Sequence, residues 1–141
     1  SGYLPIGFGY DDRFYIGLPA DEKDYRDAIE FTPAIILNGE DVTAGSTGFG
    51  IHPRSSIGQA DDGTVFLLTI DGRQVGYSLG TTVAVCADIL LDYGAVQASN
   101  LDGGSSTVMV YRDEVITRPS GPNPNGRYVP DAFIVEYAGE A

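Results

Sequence analysis

A strand, a helix and a second strand follow one another in the middle of the chain, and this order constrains the fold more than any other feature. The segment TVFLLTIDGRQVGYSLG predicts two strands, at 64–70 and 74–78, joined by an Asp-Gly turn. Thr81 or Thr82 then provides an N-cap for a helix that runs to about residue 93. The segment AVQASNL predicts another strand after it, so the chain needs one crossover connection here.

The predicted helix at about 81–93 has the pattern of an element with one buried face. Val85, Ile89 and Leu90 would share that face, and Gly94 is placed to end the helix. Cys86, the single cysteine of the chain, is expected in the core on the same apolar side. One cysteine also excludes an internal disulfide framework and a metal site built from several thiolates.

The rest of the chain predicts short elements separated by loops. PAIILNGE has the pattern of a buried strand, TVMVYRDEVIT that of a hairpin with its turn near Asp113, and AFIVEYA that of a last strand. LPIGFGYDDRFYIGLP alternates only weakly, and DVTAGSTGFGIHPRSS has the glycine content of a loop. DEKDYRDAIEF, with Tyr25, Ala28 and Ile29 at helical spacing, predicts a short amphipathic helix.

Together these elements predict an α+β fold with a mixed, mostly antiparallel sheet packed on the one main helix. The 141 residues correspond to a single domain of ordinary size. Nineteen glycines without a fixed period suit strands joined by tight turns. No apolar run approaches the roughly 20 residues of a transmembrane helix, so no membrane span is expected.

The charge balance makes nucleic acid an unexpected partner. Twenty acidic residues against eight basic ones give a net charge of −12, whereas a phosphate backbone is bound by basic surfaces. Seven of the eight basic residues are arginine. This preponderance either reflects composition alone or supplies planar guanidinium groups for an anionic ligand, because arginine binds phosphate through two parallel hydrogen bonds.

The segment SNLDGGSST places an acid, two glycines and two serines directly after a predicted strand. Adjacent glycines let the backbone turn its N–H groups toward an anion and let a ligand approach the main chain closely. An acid at the end of a strand is well placed to act as a catalytic carboxylate. The same residues also suit a plain β-turn in which Asp102 binds its own backbone, and the motif alone leaves both interpretations open.

Three other kinds of site fit this motif less well. An aspartic protease subunit, two of which would share their acids in a homodimer, needs a hydroxyl after its aspartate, and Gly103 has none. A serine hydrolase elbow would lack its last glycine and would need the single histidine, His52, as its base. A calcium loop would need acids at alternate positions, and the segment offers one.

Five separated features, taken in chain order, resemble the phosphodiester glycosidase family. They are Pro-Arg-x-x-Ile-Gly at 53–58, Asp-Gly-Arg at 71–73, the helix that follows, Asn-Leu-Asp-Gly-Gly-Ser-Ser at 100–106, and Arg127 before the final strand. The resemblance covers about residues 31–137. It implies a hydrolase that cleaves the glycosidic bond of a sugar-1-phosphodiester and releases free sugar and a phosphomonoester. Microbial members of this family are often described as exopolysaccharide-related.

The resemblance implies a role for each matching residue. Asp102 would be the catalytic carboxylate, as nucleophile or base, and Asp71 the second one, unless Asp71 only shapes a turn. Asn100 would orient the substrate or Asp102. The substrate-binding residues would be the phosphate-binding arginines Arg54 and Arg127, a weaker third candidate Arg118, the backbone donors Gly103 and Gly104, the supporting serines Ser105 and Ser106, and Arg73, which is left open between the surface and the site.

The first thirty residues lack the family's early Asn-Gly-Gly-Phe-Phe-like motif. This chain would therefore be a processed fragment, a shortened variant, or one part of a larger unit or homo-oligomer. The resemblance also implies an extracytoplasmic, secreted or cell-envelope location and an anionic sugar phosphate or envelope glycan as partner. It implies no cofactor, although a divalent cation that bridges a phosphate and Asp102 is compatible with the motif. The alternative is a catalytically inactive carbohydrate-binding or cell-wall module of the same fold.

Overall fold

The computed structural model describes residues 3–17, 24–44 and 49–139. Within them, a five-stranded sheet carries an α-helix and is accompanied by a three-stranded sheet and a small hairpin. In chain order the elements are β1 Leu4–Gly9, β2 Phe14–Ile16, β3 Tyr25–Phe31, β4 Ala34–Leu37, β5 Glu40–Asp41, β6 Arg54–Ala60, β7 Val65–Ile70, α1 Val83–Asp92, β8 Ala95–Asn100, a 3-10 turn Gly104–Ser106, β9 Val110–Tyr111 and β10 Glu114–Val115. The α+β class predicted from the sequence is confirmed.

The five-stranded sheet has the order β5-β4-β8-β6-β7, and each neighbouring pair is antiparallel. Since β7 and β8 both pair with β6, they run parallel to each other, and α1 forms the predicted crossover between them. β6 begins at the end of the segment 41–56, which was predicted to be a loop, and that prediction was wrong for residues 54–56. Its serines, glycine and glutamine obscure the β pattern, and pairing with strands on both sides rather than propensity makes the segment a strand.

The segment 74–78 is a compact loop and not the strand predicted from its alternating pattern. β7 pairs with β6 and does not turn back on itself through the Asp-Gly pair. The N–H of Gln74 donates to the carbonyl of Ser78 over 2.9 Å, which closes the loop locally. Val75 is 94% exposed, so the apolar residues of this segment have no buried face that would favour a strand.

The helix α1 confirms the predicted helix and most of its signals. Thr82 is the N-cap, and its hydroxyl accepts a hydrogen bond from the N–H of Val85 at 3.4 Å. Gly94 follows the helix with a φ of +94°. The buried face packs on β4 and contains Val83, Cys86, Ala87 and Leu90. The predicted face was wrong for Val85, which is 41% exposed.

The three-stranded sheet contains a segment that the sequence wrongly predicted to be a helix. Residues 21–31 were predicted to form a short helix, but Tyr25–Phe31 is strand β3 in a sheet of order β2-β1-β3 (residues 21–23 lie outside the described residues). Ile29 pairs with Ile6 of β1, and Ile6 is fully buried. Pairing with a buried strand outweighs the weak helical spacing, because local propensity contributes only fractions of a kcal/mol per residue.

The C-terminal region combines a confirmed hairpin with a strand that does not form. β9 and β10 are joined at Arg112 and Asp113, both of which have positive φ, as predicted for a turn near Asp113. The segment AFIVEYA shows no strand pairing in the described part of the chain. Phe133 packs edge-on against Phe8 at 6.2 Å, whereas Ile134 stays exposed. A side-chain contact, not a backbone ladder, therefore holds this segment.

Candidate active site

The glycine turn after β8, residues 101–104, lies against the beginning of β6. The N–H of Leu101 donates to the carbonyl of Ser55 over 2.8 Å, and the N–H of Gly104 donates to the carbonyl of Pro53 over 2.9 Å. The two strands place this turn because Ser56 of β6 pairs with Asn100 of β8. Of the two glycine amides expected to face a ligand, the one at Gly104 is thus used within the fold.

Both glycines of the turn are required by close approaches. A Cβ at Gly103 would stand 2.6 Å from the carbonyl oxygen of Pro53, closer than real side chains come. Gly104 has a φ of +60°, and a Cβ there would lie 3.0 Å from the guanidinium of Arg73. The glycine pair therefore allows a backbone and a cation to pack on the turn, which a simple β-turn would not demand.

Two further glycines bring the loop 71–80 to the same place. A Cβ at Gly72 would stand 2.8 Å from the backbone nitrogen of Pro53, and one at Gly80 would collide with the carbonyl of His52. The backbones of His52 and Thr81 exchange hydrogen bonds of 3.1 and 2.9 Å. The motifs at 53–58, 71–73 and 100–106, distant in sequence, thus pack backbone against backbone.

Arg73 is the cation that the structure brings to the glycine turn. Its guanidinium lies against Gly104, and its Nη2 is 3.3 Å from Nδ1 of His52. Arg73 is exposed and has no ion-pair partner among the described residues. The sequence left this residue open between the surface and the site, and its position assigns it to the candidate site.

Arg54, predicted to bind the phosphate, lies largely buried at the start of β6. It is only 6% exposed, and its guanidinium donates to three backbone carbonyls: that of Thr81 at 3.0 Å, that of Phe49 at 3.1 Å and that of Gly50 at 2.6 Å. Burial lowers the pKa of Arg54, and the nearby charge of Arg73 lowers it further. Arg54 therefore ties two loops to β6 beneath the glycine turn.

Asp71 is held in a small network with Tyr77 and Arg118. Its carboxylate accepts the Tyr77 hydroxyl at 2.7 Å and the backbone N–H of Arg118 at 3.1 Å from either oxygen. The guanidinium of Arg118 stacks on the Tyr77 ring at 4.5 Å from its centre. The hydrogen bond to Asp71 raises the pKa of Tyr77, and partial desolvation and the Asp71 charge act in the same direction.

Asp102 is exposed and makes no hydrogen bond or ion pair within the described part of the chain. Asn100, two residues earlier, is 6% exposed. Its Nδ2 donates to the carbonyl of Thr32 at 3.2 Å, and its Oδ1 is buried without a partner in the same part of the chain. Asp102 is thus an available carboxylate on the turn, while Asn100 joins the turn to the segment before β4.

The other predicted residues lie at the margin of this arrangement. Ser105 and Ser106 belong to the 3-10 turn, and the hydroxyl of Ser106 is buried without a partner among the described residues. Arg127 is exposed, and its Nε donates to the carbonyl of Tyr128 at 3.2 Å. No hydrogen bond or ion pair joins Arg127 to Asp102 or Arg73 among the described residues, and its predicted role in binding the phosphate stays a prediction.

His52 is the residue whose position sequence reasoning missed. The sequence predicts an ordinary loop histidine or, for a serine hydrolase, its base, whereas in the structure the ring contacts Arg73 at the glycine turn. Its place directly before the Pro-Arg motif is the one signal that could have indicated this role.

No cluster of three or more His, Cys, Asp or Glu side chains able to hold a metal occurs among the described residues. None of their helices is both long and apolar enough to cross a bilayer.

Comparison with known proteins identifies the family. The family model for phosphodiester glycosidases matches residues 2–136. The SPbeta prophage-derived uncharacterized protein YomE of Bacillus subtilis (strain 168) is 35% identical over 86 residues, which are 61% of this chain and 13% of that protein. The resemblance predicted from the sequence is confirmed.

Two solved structures share the fold at 21% identity. One is the zebrafish N-acetylglucosamine-1-phosphodiester alpha-N-acetylglucosaminidase catalytic domain, auto-inhibited by its pro-peptide, with a TM-score of 0.72 over 89% of this chain and 50% of that one. The other is a Burkholderia pseudomallei K96243 protein provisionally described as exported, with a TM-score of 0.59 over 89% of this chain and 37% of that one. This chain thus spans half or less of the relatives it matches.

Proposed function

Because this chain belongs to the phosphodiester glycosidase family, we propose that it hydrolyses the glycosidic bond of a sugar-1-phosphodiester. The products would be free sugar and a phosphomonoester. The observation that carries the proposal is an exposed arginine, Arg73, which lies on the turn that also presents the carboxylate of Asp102, with no ion-pair partner for either side chain among the described residues. In this reaction negative charge grows on the phosphate and positive charge on the sugar. A cation and a carboxylate at one turn can stabilise these two charges.

Arg73 would bind the phosphate group. In the reaction the bond between the anomeric carbon and the ester oxygen breaks, its electrons pass to that oxygen, and water supplies the hydroxyl of the released sugar. A phosphomonoester leaves more readily than an alcohol, so stabilising its growing negative charge matters more than protonating it. A guanidinium with two parallel donors provides that stabilisation.

Asp102 would act at the sugar. The transition state of glycoside cleavage has positive character at the anomeric carbon, and a nearby carboxylate stabilises it or supplies the nucleophile or base. Asp71, already occupied by three hydrogen bonds, would position the loop that carries Arg73 and would not react directly. Arg54 would support the site from beneath, in place of the direct contact expected from the sequence.

Local charge explains why the site needs arginines at all. A protein with a net charge of −12 repels an anionic substrate at long range. Arg73 lies close enough for its charge to contribute to the lowered pKa of Arg54, so positive charge is concentrated beside the glycine turn. We also propose an extracytoplasmic location, which the exported Burkholderia relative supports.

A second candidate is a glycan-binding module that shares the fold but lacks turnover. It is favoured by the burial of Arg54, which leaves Arg73 as the candidate arginine whose guanidinium contacts the turn among the described residues. Both candidates would bind the substrate, but only the hydrolase would release free sugar. An experiment that measures binding and sugar release therefore separates them.

The test is incubation with a UDP-sugar or a synthetic sugar-1-phosphodiester, with free sugar as the readout. Turnover should fall by at least about a hundredfold in Asp102→Asn, since a catalytic carboxylate contributes that much or more. The matched control is Asp113→Asn, an exposed turn aspartate in the β9–β10 hairpin, which should keep full activity. Binding without sugar release in the unchanged protein would instead establish the glycan-binding module. If the unchanged protein neither bound the substrate nor released sugar, both candidates would be excluded.

A further inference from the structure

We propose that His52 is a positioning residue that holds Arg73 over the glycine turn as a neutral hydrogen-bond acceptor. The proposal rests on the proposed function for the identity of the ligand, an organic phosphate. The contact itself is a property of the folded chain and can be measured without turnover.

The chemistry of the two side chains determines the direction of their hydrogen bond. Nη2 of Arg73 and Nδ1 of His52 are 3.3 Å apart. A guanidinium has donors and no acceptor, so Nδ1 must accept. A ring that accepts at Nδ1 is a neutral imidazole with its proton on Nε2.

The backbone of His52 is itself held rigidly. It exchanges hydrogen bonds of 3.1 and 2.9 Å with Thr81, and its carbonyl packs so closely on Gly80 that no Cβ fits between them. Pro53 follows directly and restricts the histidine to an extended conformation. The imidazole therefore projects from an anchored point and can fix a longer, more flexible side chain.

Arg73 needs such a support more than an ordinary surface arginine does. Its φ is +57°, an uncommon conformation for a residue with a side chain, and its long side chain has many rotamers. A carboxylate could also hold it, but a carboxylate would cancel the positive charge and compete with an anionic substrate. A neutral imidazole orients the guanidinium and leaves its charge available to the phosphate.

The expected effect of losing His52 is weaker phosphate binding. Ordering one flexible side chain upon binding weakens affinity by about three- to tenfold. The KM should rise by this factor, with a smaller change in kcat, because Arg73 already contacts the phosphate in the bound ground state.

The experiment compares three variants at one neutral pH. His52→Ala removes the acceptor. His52→Asn restores an oxygen near the position of Nδ1, whereas His52→Gln carries its oxygen further out, near the position of Nε2. The readouts are the affinity for inorganic phosphate and the side-chain Nε–Hε resonance of Arg73 in a ¹H–¹⁵N spectrum, assigned with Arg73→Lys.

The proposal expects His52→Ala and His52→Gln to lose phosphate affinity and to shift or broaden the Arg73 resonance, and His52→Asn to restore both. An Arg73 resonance unchanged in His52→Ala would overturn it, as would equal behaviour of the Asn and Gln variants. If His52→Ala does not fold, the Asn and Gln pair still decides. If the unchanged protein hydrolyses no sugar phosphodiester, the proposed function fails alone, because the Arg73 resonance tests the positioning role independently.

Discussion

The guanidinium of Arg73 lies so close to Gly104 that a Cβ at residue 104 would stand 3.0 Å from Nη2 and 3.1 Å from Nη1. This contact joins the Asp-Gly-Arg motif to the Asp-Gly-Gly motif across 30 residues of sequence. A side chain at 104 would press on this guanidinium, which would have to shift by a few tenths of an ångström on the turn that carries Asp102.

Gly104→Ala should therefore weaken the binding of a sugar phosphodiester while lowering the stability of the fold only moderately. The φ of +60° makes an alanine there cost about 1 kcal/mol of unfolding free energy. The matched control is Gly39→Ala, which has a φ of +81° and no atom within 4 Å of the added Cβ. Urea denaturation should show similar losses for both variants, while the KM for a sugar phosphodiester should rise in Gly104→Ala alone. Equal KM values would contradict the contact.

Gly103→Ala should destabilise the protein more strongly. Its Cβ would meet the backbone oxygen of Pro53 at 2.6 Å, and a backbone atom cannot rotate away as a side chain can. We expect a loss of about 2 kcal/mol or more, as for other overpacked sites. Gly121→Ala, where nothing lies within 4 Å and φ is not positive, provides the comparison and should stay within about 0.5 kcal/mol. A small loss in Gly103→Ala would mean that the turn does not pack on Pro53.

The Arg54→Met substitution should lower the free energy of unfolding, whereas Arg127→Met should leave it nearly unchanged. Methionine fills a similar length but leaves the carbonyls of Thr81, Phe49 and Gly50 without their donor, at a cost of about 2–3 kcal/mol. Arg127 is exposed, and its side chain donates to the carbonyl of Tyr128 among the described residues, so its loss should cost less than about 0.5 kcal/mol. Thermal and urea unfolding measure both. Stability unchanged in Arg54→Met would restore its interpretation as a free phosphate-binding group.

Asp71→Asn should lower the pKa of Tyr77 toward the ordinary tyrosine value. In the folded protein the hydrogen bond to Asp71 favours the neutral phenol and raises that pKa. This interaction stabilises the fold at pH values below the ordinary tyrosine pKa, and the stabilisation is lost as the pH rises through the raised value. Absorbance titration near 295 nm, with Tyr77→Phe to identify the signal, measures the change. A tyrosine titration identical in the two proteins would rule out the hydrogen bond.

Elements with a clear pattern in their own residues could be predicted, including the strands β4, β7 and β8. The helix α1 begins at a threonine cap and is followed by a glycine, and the β9–β10 hairpin turns at Asp113, so both depend on local backbone preferences. β3 and β6 were missed because their own residues give a weak β pattern, and pairing with β1 for β3 and with β7 and β8 for β6 makes them strands. The last segment has a strand pattern but pairs with nothing among the described residues, and pattern alone does not provide a partner.

Some features of the candidate site could also be predicted from the sequence, and others could not. The family resemblance and the importance of the Asp-Gly-Gly turn followed from the order of motifs along the chain, and the family model confirms the former. The assignment of each arginine did not follow, because a guanidinium buried against carbonyls and one exposed at a turn are the same letter in a sequence. His52 gained its role only from a contact made across 21 residues.

The amino-acid sequence by itself determined the family, the α+β class, the main helix and the presence of a glycine-rich turn behind an acid, since these depend on residue type and local order. Only the tertiary structure decided which arginine reaches that turn and which lies beneath it. The physical reason is that three glycines let three loops pack backbone against backbone, and a fourth, Gly104, leaves room for the guanidinium of Arg73, which the imidazole of His52 contacts.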